Sequence, residues 1–398
     1  MAYFLLFLSS AGILTSTIFT MMAFVATEKY LSGRRRRRRQ ALDFTPPVSI
    51  LKPLHGSPAH LEENLEGYFQ LDYPEYELLF CARHEDDAGL AIVRKLAARY
   101  PHIPVKILTS GEPPWMNARS YSMHLMAEAA RHDLLVATDA DVPAGPEYLR
   151  AMVAPFRNSE VGAAFSLYRG MPIDGGFGEQ LEGLGMSVEM TSGVLVAAML
   201  EGVRFTLGPS TALRKAALKQ IGGFARLADY AADDYMLGYL LAESGSTVVL
   251  SDQVIDHQIL RSGFWKSIEH QLSWMRSTRF SRPMGHLGTV LTFSVPFGLL
   301  GLIAGLLLGR PLLGLALLVF TLLLKTAQSI VVGGLVVRSR ESVRLGFLYP
   351  LRDLIGFFLW AASYLSNKLH WHGRVFELEP GGIMHLPGRD DKTTRPVA

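Results

Sequence analysis

The sequence predicts an α/β fold, a Rossmann-like sheet in a polar middle region, with one membrane helix ahead of it and two or three behind it. Three observations carry that expectation. Strand-like and helix-like segments alternate from residue 46 to residue 139. Residues 2–26 hold no charge and suffice to cross ~30 Å of hydrocarbon as a helix. Apolar runs return after residue 290, in a 398-residue chain that is 49% hydrophobic with a positive mean hydropathy.

The first apolar run is followed, not preceded, by its charge: six consecutive arginines, Arg34 to Arg39. A secretory signal has the opposite order and is shorter. The positive-inside rule places the arginines and the region after them in the cytoplasm. As a topology signal against anionic lipid they require no nucleic acid, and a formal net charge of +3 implies none either, so no nucleic-acid partner is expected. The single cysteine, Cys81, excludes an internal disulfide framework and a thiolate metal cluster, which fits a reducing compartment. Within "LLFCA" it reads as a core residue.

In the middle region "PPVSILKPL" (46–54) is a strand after a proline start, and "HLEENLEGYFQL" (60–71) is an amphipathic helix. "YELLFCA" (76–82) and "PVKILT" (104–109) are further strands, with "LAIVRKLAARY" (90–100) a helix between them. "MNARSYSMHLMAEAARH" (116–132) is a helix leading to the apolar strand "DLLVATD" (133–139). This is half of a Rossmann-like layout. The glycine-rich stretch 170–185 reads as a surface loop or as a mobile segment. Further on, residues 290–309 carry no charge, and 312–337 are apolar except for Lys325 and Gln328, which predicts a helical hairpin with the basic loop "VRSRESVR" (337–344) inside. The last apolar run, 347–365, contains Arg352 and Asp353, so it either crosses or lies at the interface with the two charges held against protein.

Ligands of open parallel sheets lie beyond the carboxyl ends of the strands, where "DLLVATDADV" delivers Asp139 and Asp141. Carboxylates at i and i+2 can face one hard divalent cation whose remaining positions suit phosphate oxygens, although turns after strands favour Asp in any case. At the end of the second strand Asp86 and Asp87 are placed to meet a ribose or base. Asn117 and Arg119 open a helix, where a cation and free amides suit phosphate. Residues 208–224 read as a turn, a short strand and a helix. Asp233 and Asp234 begin an amphipathic helix, a position that helix capping alone also favours. His270, Ser273 and Trp274 share one helical face close before a membrane span, as an interfacial helix would also arrange them.

In order and spacing, "PPVSILKPLHG", "NLEGYFQLDYPEYELLFCARHEDD", "TDADV", "LGPSTALRKAAL", "IGGFARLADYAADDYMLG" and "HQLSWMRSTR" resemble family 2-type membrane glycosyltransferases with the GT-A fold. Within these they resemble the ceramide glucosyltransferase-like group, which includes bacterial hopanoid-associated enzymes. The resemblance implies that Asp87 contacts the nucleotide, that Asp139 and Asp141 form the metal motif for Mg²⁺ or Mn²⁺, and that Asp234 is the base, preceded by Asp233 where the family has Glu. "HQLSW" falls on the R-x-x-R-W or Q-x-x-R-W motif, with His270 at its first position and Ser273 in place of Arg. The diphosphate clamp then falls to His270, Trp274 and either Arg276 or Arg279. Arg119 stands where the family has Lys, near Asn117.

The implied reaction is inverting transfer of a hexose from a UDP-sugar, UDP-glucose foremost, to a lipid hydroxyl such as that of ceramide, at the cytoplasmic face of the inner membrane. A UDP-N-acetylglucosamine-dependent hopanoid enzyme, a processive polysaccharide synthase and an inactive membrane scaffold are the alternatives. The expected organisation is a membrane helix over 1–27, a basic cytosolic linker over 28–45, a GT-A catalytic domain over 46–260 and an amphipathic interfacial helix over 261–286. Membrane and interfacial helices over 287–366 and a tail over 367–398 complete it.

Overall fold

The structure, a computed structural model, describes residues 1–40, 44–259, 263–371 and 374–387. Parts of the expected linker, of the start of the interfacial helix and of the tail lie outside these residues. The first helix, α1 (Ala2–Gln40), does not end where the apolar residues end but continues through the region expected to be a linker. Arginine is a good helix former, and the helix has something to pack on: Tyr30 is buried and its hydroxyl donates to the Ser251 carbonyl at 3.3 Å.

The four strands expected in the middle region form. These are β1 (Val48–Pro53), β2 (Tyr76–Ala82), β3 (Val105–Thr109) and β4 (Leu134–Thr138), with α2 (Leu61–Phe69), α3 (Ala88–Arg99) and α4 (Ala118–Ala129) between them. Each strand except β3 is buried on both faces, as parallel strands covered by helices must be. Beyond β4 come α5 (Tyr148–Val153), β5 (Val161–Pro172), α6 (Phe177–Leu184), α7 (Thr191–Glu201), β6 (Ser210–Arg214), α8 (Lys215–Gln220), α9 (Asp233–Glu243) and β7 (Thr247–Ile259). The seven strands lie in the order β3-β2-β1-β4-β6-β5-β7, with β6 antiparallel to both neighbours. The fold class is therefore the expected α/β. Strand order reverses between β1 and β4, so the crevice for a ligand opens at their carboxyl ends.

The glycine-rich stretch is not a surface loop. β5 runs to Pro172 and α6 begins at Phe177, continuing through a π-helical turn (Gly185–Met190) into α7. Its glycines allow close packing: a Cβ on Gly170 would lie 2.6 Å from the Gly183 Cα, and one on Gly178 would lie 2.8 Å from the Phe264 Cα.

The membrane layer follows α10 (Gly263–Ser281) and α11 (Pro283–Gly288) and contains α12 (Val295–Leu307), α13 (Pro311–Gln328), α14 (Arg340–Arg344) and α15 (Tyr349–Ser363). Among the described residues three helical runs are long and apolar enough to cross a membrane, Ala2–Arg34, Phe177–Glu201 and Pro311–Val336. A fourth is added if the bent pair Pro283–Thr292 and Val295–Leu307 is one span. The run Phe177–Glu201 is mostly buried within the protein itself, wedged between the α/β domain and the other helices. The last expected run yields α15, whose 15 residues rise only ~22 Å. Its Arg352 pairs with Glu189 and its Asp353 with Lys325, each at 3.0 Å.

The chain then forms a three-stranded antiparallel sheet, β8 (Lys368–Trp371), β9 (Arg374–Glu379) and β10 (Ile383–His385). This sheet returns to the α/β domain: the Met384 amide donates to the Asp229 carbonyl at 2.7 Å and the Ala231 amide to that of Gly382 at 2.9 Å. The described part of the tail therefore packs on the α/β domain.

Candidate active site

Asp139 and Asp141 leave the carboxyl end of β4 in a turn closed by the Val142 amide on the Asp139 carbonyl at 3.3 Å. Two buried residues hold that turn from below. The Lys52 ammonium donates to the Asp139 carbonyl at 2.8 Å and sits 3.7 Å from the centre of the Tyr68 ring. The Tyr68 hydroxyl in turn donates to the Val142 carbonyl at 3.0 Å. Lys52 is fully buried, and burial, opposed by the charges of Asp139 and Asp141, brings its pKa down to about 7. Sequence reading passed over Lys52, although a lone lysine in an otherwise apolar strand was a visible signal.

Arg119 is the strut of the site. Its Nε donates to Asp139 Oδ1 at 2.9 Å, one terminal nitrogen to Asp233 Oδ2 at 3.1 Å and the other to the Gly208 carbonyl at 2.8 Å. Desolvation works against its charge, but Asp139 and Asp233 more than offset this and hold its pKa above the ordinary value. Arg119 was expected to meet phosphate; here it joins the β4 turn to the start of α9. Asp233 is committed to the same framework, since Oδ2 also accepts from the Ser120 hydroxyl and Oδ1 accepts the Asp234 amide.

Asp234 accepts the Gly208 amide on Oδ2 and the Tyr235 amide on Oδ1, both at 2.8 Å. Burial and the neighbouring Asp233 charge push its pKa up to about 6, a value suited to accepting a proton near neutral pH. Tyr168, buried on β5, lies within electrostatic reach of the cluster: burial raises its hydroxyl pKa, and the charges of Asp234, Asp139, Glu182 and Asp141 raise it further.

Asp141 differs from its neighbours in having an unfinished environment. Its Oδ1 is buried with no hydrogen-bond partner among the described residues, and Oδ2 lies 3.7 Å from Nε2 of His257 on β7, whose Nδ1 is likewise buried and unpartnered. Two carboxylates and an imidazole suit a divalent cation. No group of three His, Cys, Asp or Glu side chains among the described residues is gathered tightly enough to hold one unaided. His257 could not be found from sequence, because only the pairing of β5 with β7 brings it there.

The remaining expected residues divide. Asp87 caps α3 through the Gly89 amide at 2.8 Å and takes the Gly56 amide at 2.9 Å, which fixes the loop after β1 beside the crevice. Asp86 beside it is exposed. Asn117 is turned into the fold: it is fully buried, caps α4 on the Ser120 amide and donates to the Tyr230 carbonyl. The His270 and Trp274 rings lie against each other at a tilt of 51° with centres 4.4 Å apart, and His270 Nδ1 meets the buried Glu182 at 3.0 Å. Glu182, which sequence reading did not single out, thereby leaves His270 Nε2 as the free ring nitrogen. Arg276 and Arg279 do not reach the carboxylates; they donate to the carbonyls of Lys368 and Ser366, holding the chain after α15.

Against this geometry the comparisons with known proteins can be set. The family model described as glycosyl transferase family 21 matches residues 13–384. "Ceramide glucosyltransferase 1" of Caenorhabditis elegans is 31% identical over 206 residues, which cover 52% of this chain and 44% of that protein. "Ceramide glucosyltransferase 3" of the same organism is 26% identical over 353 residues, 86% of this chain and 75% of that protein. The chain thus spans less than half the length of the first relative and three quarters of the second. Among solved structures, a mannosyltransferase from Pyrobaculum calidifontis in complex with GDP-Man and Mn²⁺ is similar at 17% identity, with 87% of this chain and 99% of that chain covered and a TM-score of 0.48.

Proposed function

The chain belongs to glycosyl transferase family 21, and from that premise and the site we propose that it is a membrane-bound inverting glycosyltransferase that moves a hexose from a UDP-sugar to a lipid hydroxyl. The single observation that carries the reading is that Arg119 joins the Asp139 turn at the carboxyl end of β4 to Asp233, next to Asp234 at the start of α9, in a domain beside apolar helices. UDP-glucose and ceramide are the donor and acceptor we favour, because the two relatives bear the name ceramide glucosyltransferase.

Asp141, Asp139 and His257 would hold Mg²⁺ or Mn²⁺. Bound there, the cation would neutralise charge growing on the departing UDP. Lys52 and Tyr68 keep the two aspartates at the mouth of the crevice, and Arg119 fixes their distance from α9. Asp234 accepts the proton of the acceptor hydroxyl as its oxygen attacks the anomeric carbon on the face opposite UDP. Asp87 and the loop it fixes border the nucleoside, with Asp86 outside. His270, oriented by Glu182, lines the diphosphate side of the crevice, and Trp274 covers the sugar and excludes water.

The lipid explains the architecture, since a hydroxyl at headgroup depth is met only by a site tethered at that depth. We propose that the site faces the cytoplasm at the inner membrane, a reading the arginine run after the first helix supports. Lipid mass spectrometry of a host expressing the chain tests the proposal: a new monohexosyl lipid is expected, and a long polymer or no new glycolipid with confirmed membrane expression would overturn it.

A further inference from the structure

Where the apolar run of α13 ends, the chain does not simply turn into water. A π-helical stretch, Ser329–Val336, carries on from α13, and α14 folds back against it. Glycine permits this approach, for a Cβ on Gly334 would lie 2.8 Å from Val343 Cγ2. The result is an open cavity lined by Gly334, Arg338, Ser339, Arg340, Val343 and Arg344. Arg340 and Arg344 share one face of α14 by their i, i+4 spacing, and Arg338 lies on the adjoining turn. None of the three guanidinium groups has a hydrogen-bond or ion-pair partner among the described residues, and all three residues are exposed. The surface between them is mainly apolar, and Val343 in the lining is half exposed, as are Leu335, next in sequence to Gly334, and Phe347, shortly after α14.

The cavity is fixed in depth. Arg169 of β5, paired with Asp256, donates to the carbonyls of Val337 and Arg338 at 3.3 Å each, so the loop is held to the α/β domain at the level where the apolar helix leaves the membrane. Three unpaired guanidinium groups over an apolar floor at that level match one chemistry: a phosphate headgroup with acyl chains attached. A free phosphate would leave the apolar floor and rim without a partner, whereas a phospholipid covers both. We propose that this cavity binds the headgroup of an anionic phospholipid of the leaflet facing the α/β domain, at a site separate from the glycosyl-transfer centre.

The test is native mass spectrometry of the purified full chain with an equal mixture of phosphatidylglycerol and phosphatidylcholine, without sugar donor, so that its outcome is independent of the transferase reading. Preferential retention of phosphatidylglycerol is expected. The R338Q/R340Q/R344Q variant should lose it on the order of 100-fold, and R344Q alone about 5-fold, at roughly fivefold per surface cation. The single variant keeps the test decisive should the triple one not fold. Substituting Arg94 and Arg99, remote on α3, should leave retention unchanged. Equal retention of both lipids, unchanged retention by both cavity variants, or displacement of the lipid by millimolar inorganic phosphate would each overturn the proposal.

Discussion

Two ionic clusters among the described residues, one in the membrane layer and one in the α/β domain, are finished to different degrees. In the membrane layer, Lys325 pairs with Asp353 at 3.0 Å with both side chains almost fully buried. Lys325 also donates to the Thr292 carbonyl and to Gln328, while Asp353 accepts the Ser294 and Val295 amides at the start of α12. Gln328 donates onward to Ser192 on α7. Every charge in that pair has its partners, and the cluster joins four helices. In the α/β domain, Arg119 and Asp233 are equally well satisfied, but Asp141 Oδ1 and His257 Nδ1 are buried without partners. A buried polar group left unpaired costs stability. A closed cluster therefore reads as architecture, and an incomplete one as a place where a ligand supplies what the protein withholds.

Substitutions can break or sharpen that contrast. The largest expected effect is at Asp234: Asp234→Asn should lower transfer ~10²- to 10⁴-fold while UDP-sugar affinity, measured by calorimetry, stays within a few-fold. Turnover at the original rate would remove Asp234 from the role of base. In the closed cluster, Asp353→Ala leaves Lys325 buried and unpaired, so a loss of about 3–5 kcal/mol is expected in thermal or denaturant unfolding. The double variant K325M/D353L should recover much of it, because replacing both charges removes the desolvation cost as well. A fully stable Asp353→Ala protein that lacks only activity would reverse the two assignments.

Lys52→Met tests the support beneath the open cluster. With the Asp139 carbonyl unclasped, kcat/KM should fall on the order of 10- to 100-fold and the Mn²⁺ concentration for half-maximal activity should rise. A purely structural lysine would lower the unfolding temperature and leave the Mn²⁺ dependence alone. The smallest effect is in pH. Asp234 must be unprotonated to accept a proton, and its raised pKa makes it protonate earlier on acidification than an ordinary carboxyl. The kcat/KM profile should accordingly drop about tenfold per unit below pH ~6, and a profile flat to pH 5 would place the base elsewhere.

Much of the α/β half was legible because its signals are local. The strands 46–54, 76–82, 104–109 and 133–139 are apolar runs bounded by turn residues, and all four formed where expected. Asp139, Asp141, Asp233 and Asp234 stood out as acidic pairs in turn or helix-start positions. The errors have local causes too. Glycines at 170–185 suggest a loop when neighbouring elements are unknown, and the same glycines are what let α6 and the helix after it lie against β5. For residues 347–365 the sequence leaves a span and an interfacial helix both open, and the structure shows the charges held against protein, Arg352 by Glu189 and Asp353 by Lys325. Arg276 and Arg279 stand on the expected helix, but the returning tail takes one donor of each.

By itself, then, the order of residues determined which segments are strands, which are apolar helices and which acidic residues end the strands, since hydrophobic period and turn chemistry act within a few residues. Only the tertiary structure decided which of those acids stay committed to the fold and which remain open. That depends on partners such as Arg119, Lys52 and His257, which the sheet order brings together across long stretches of chain.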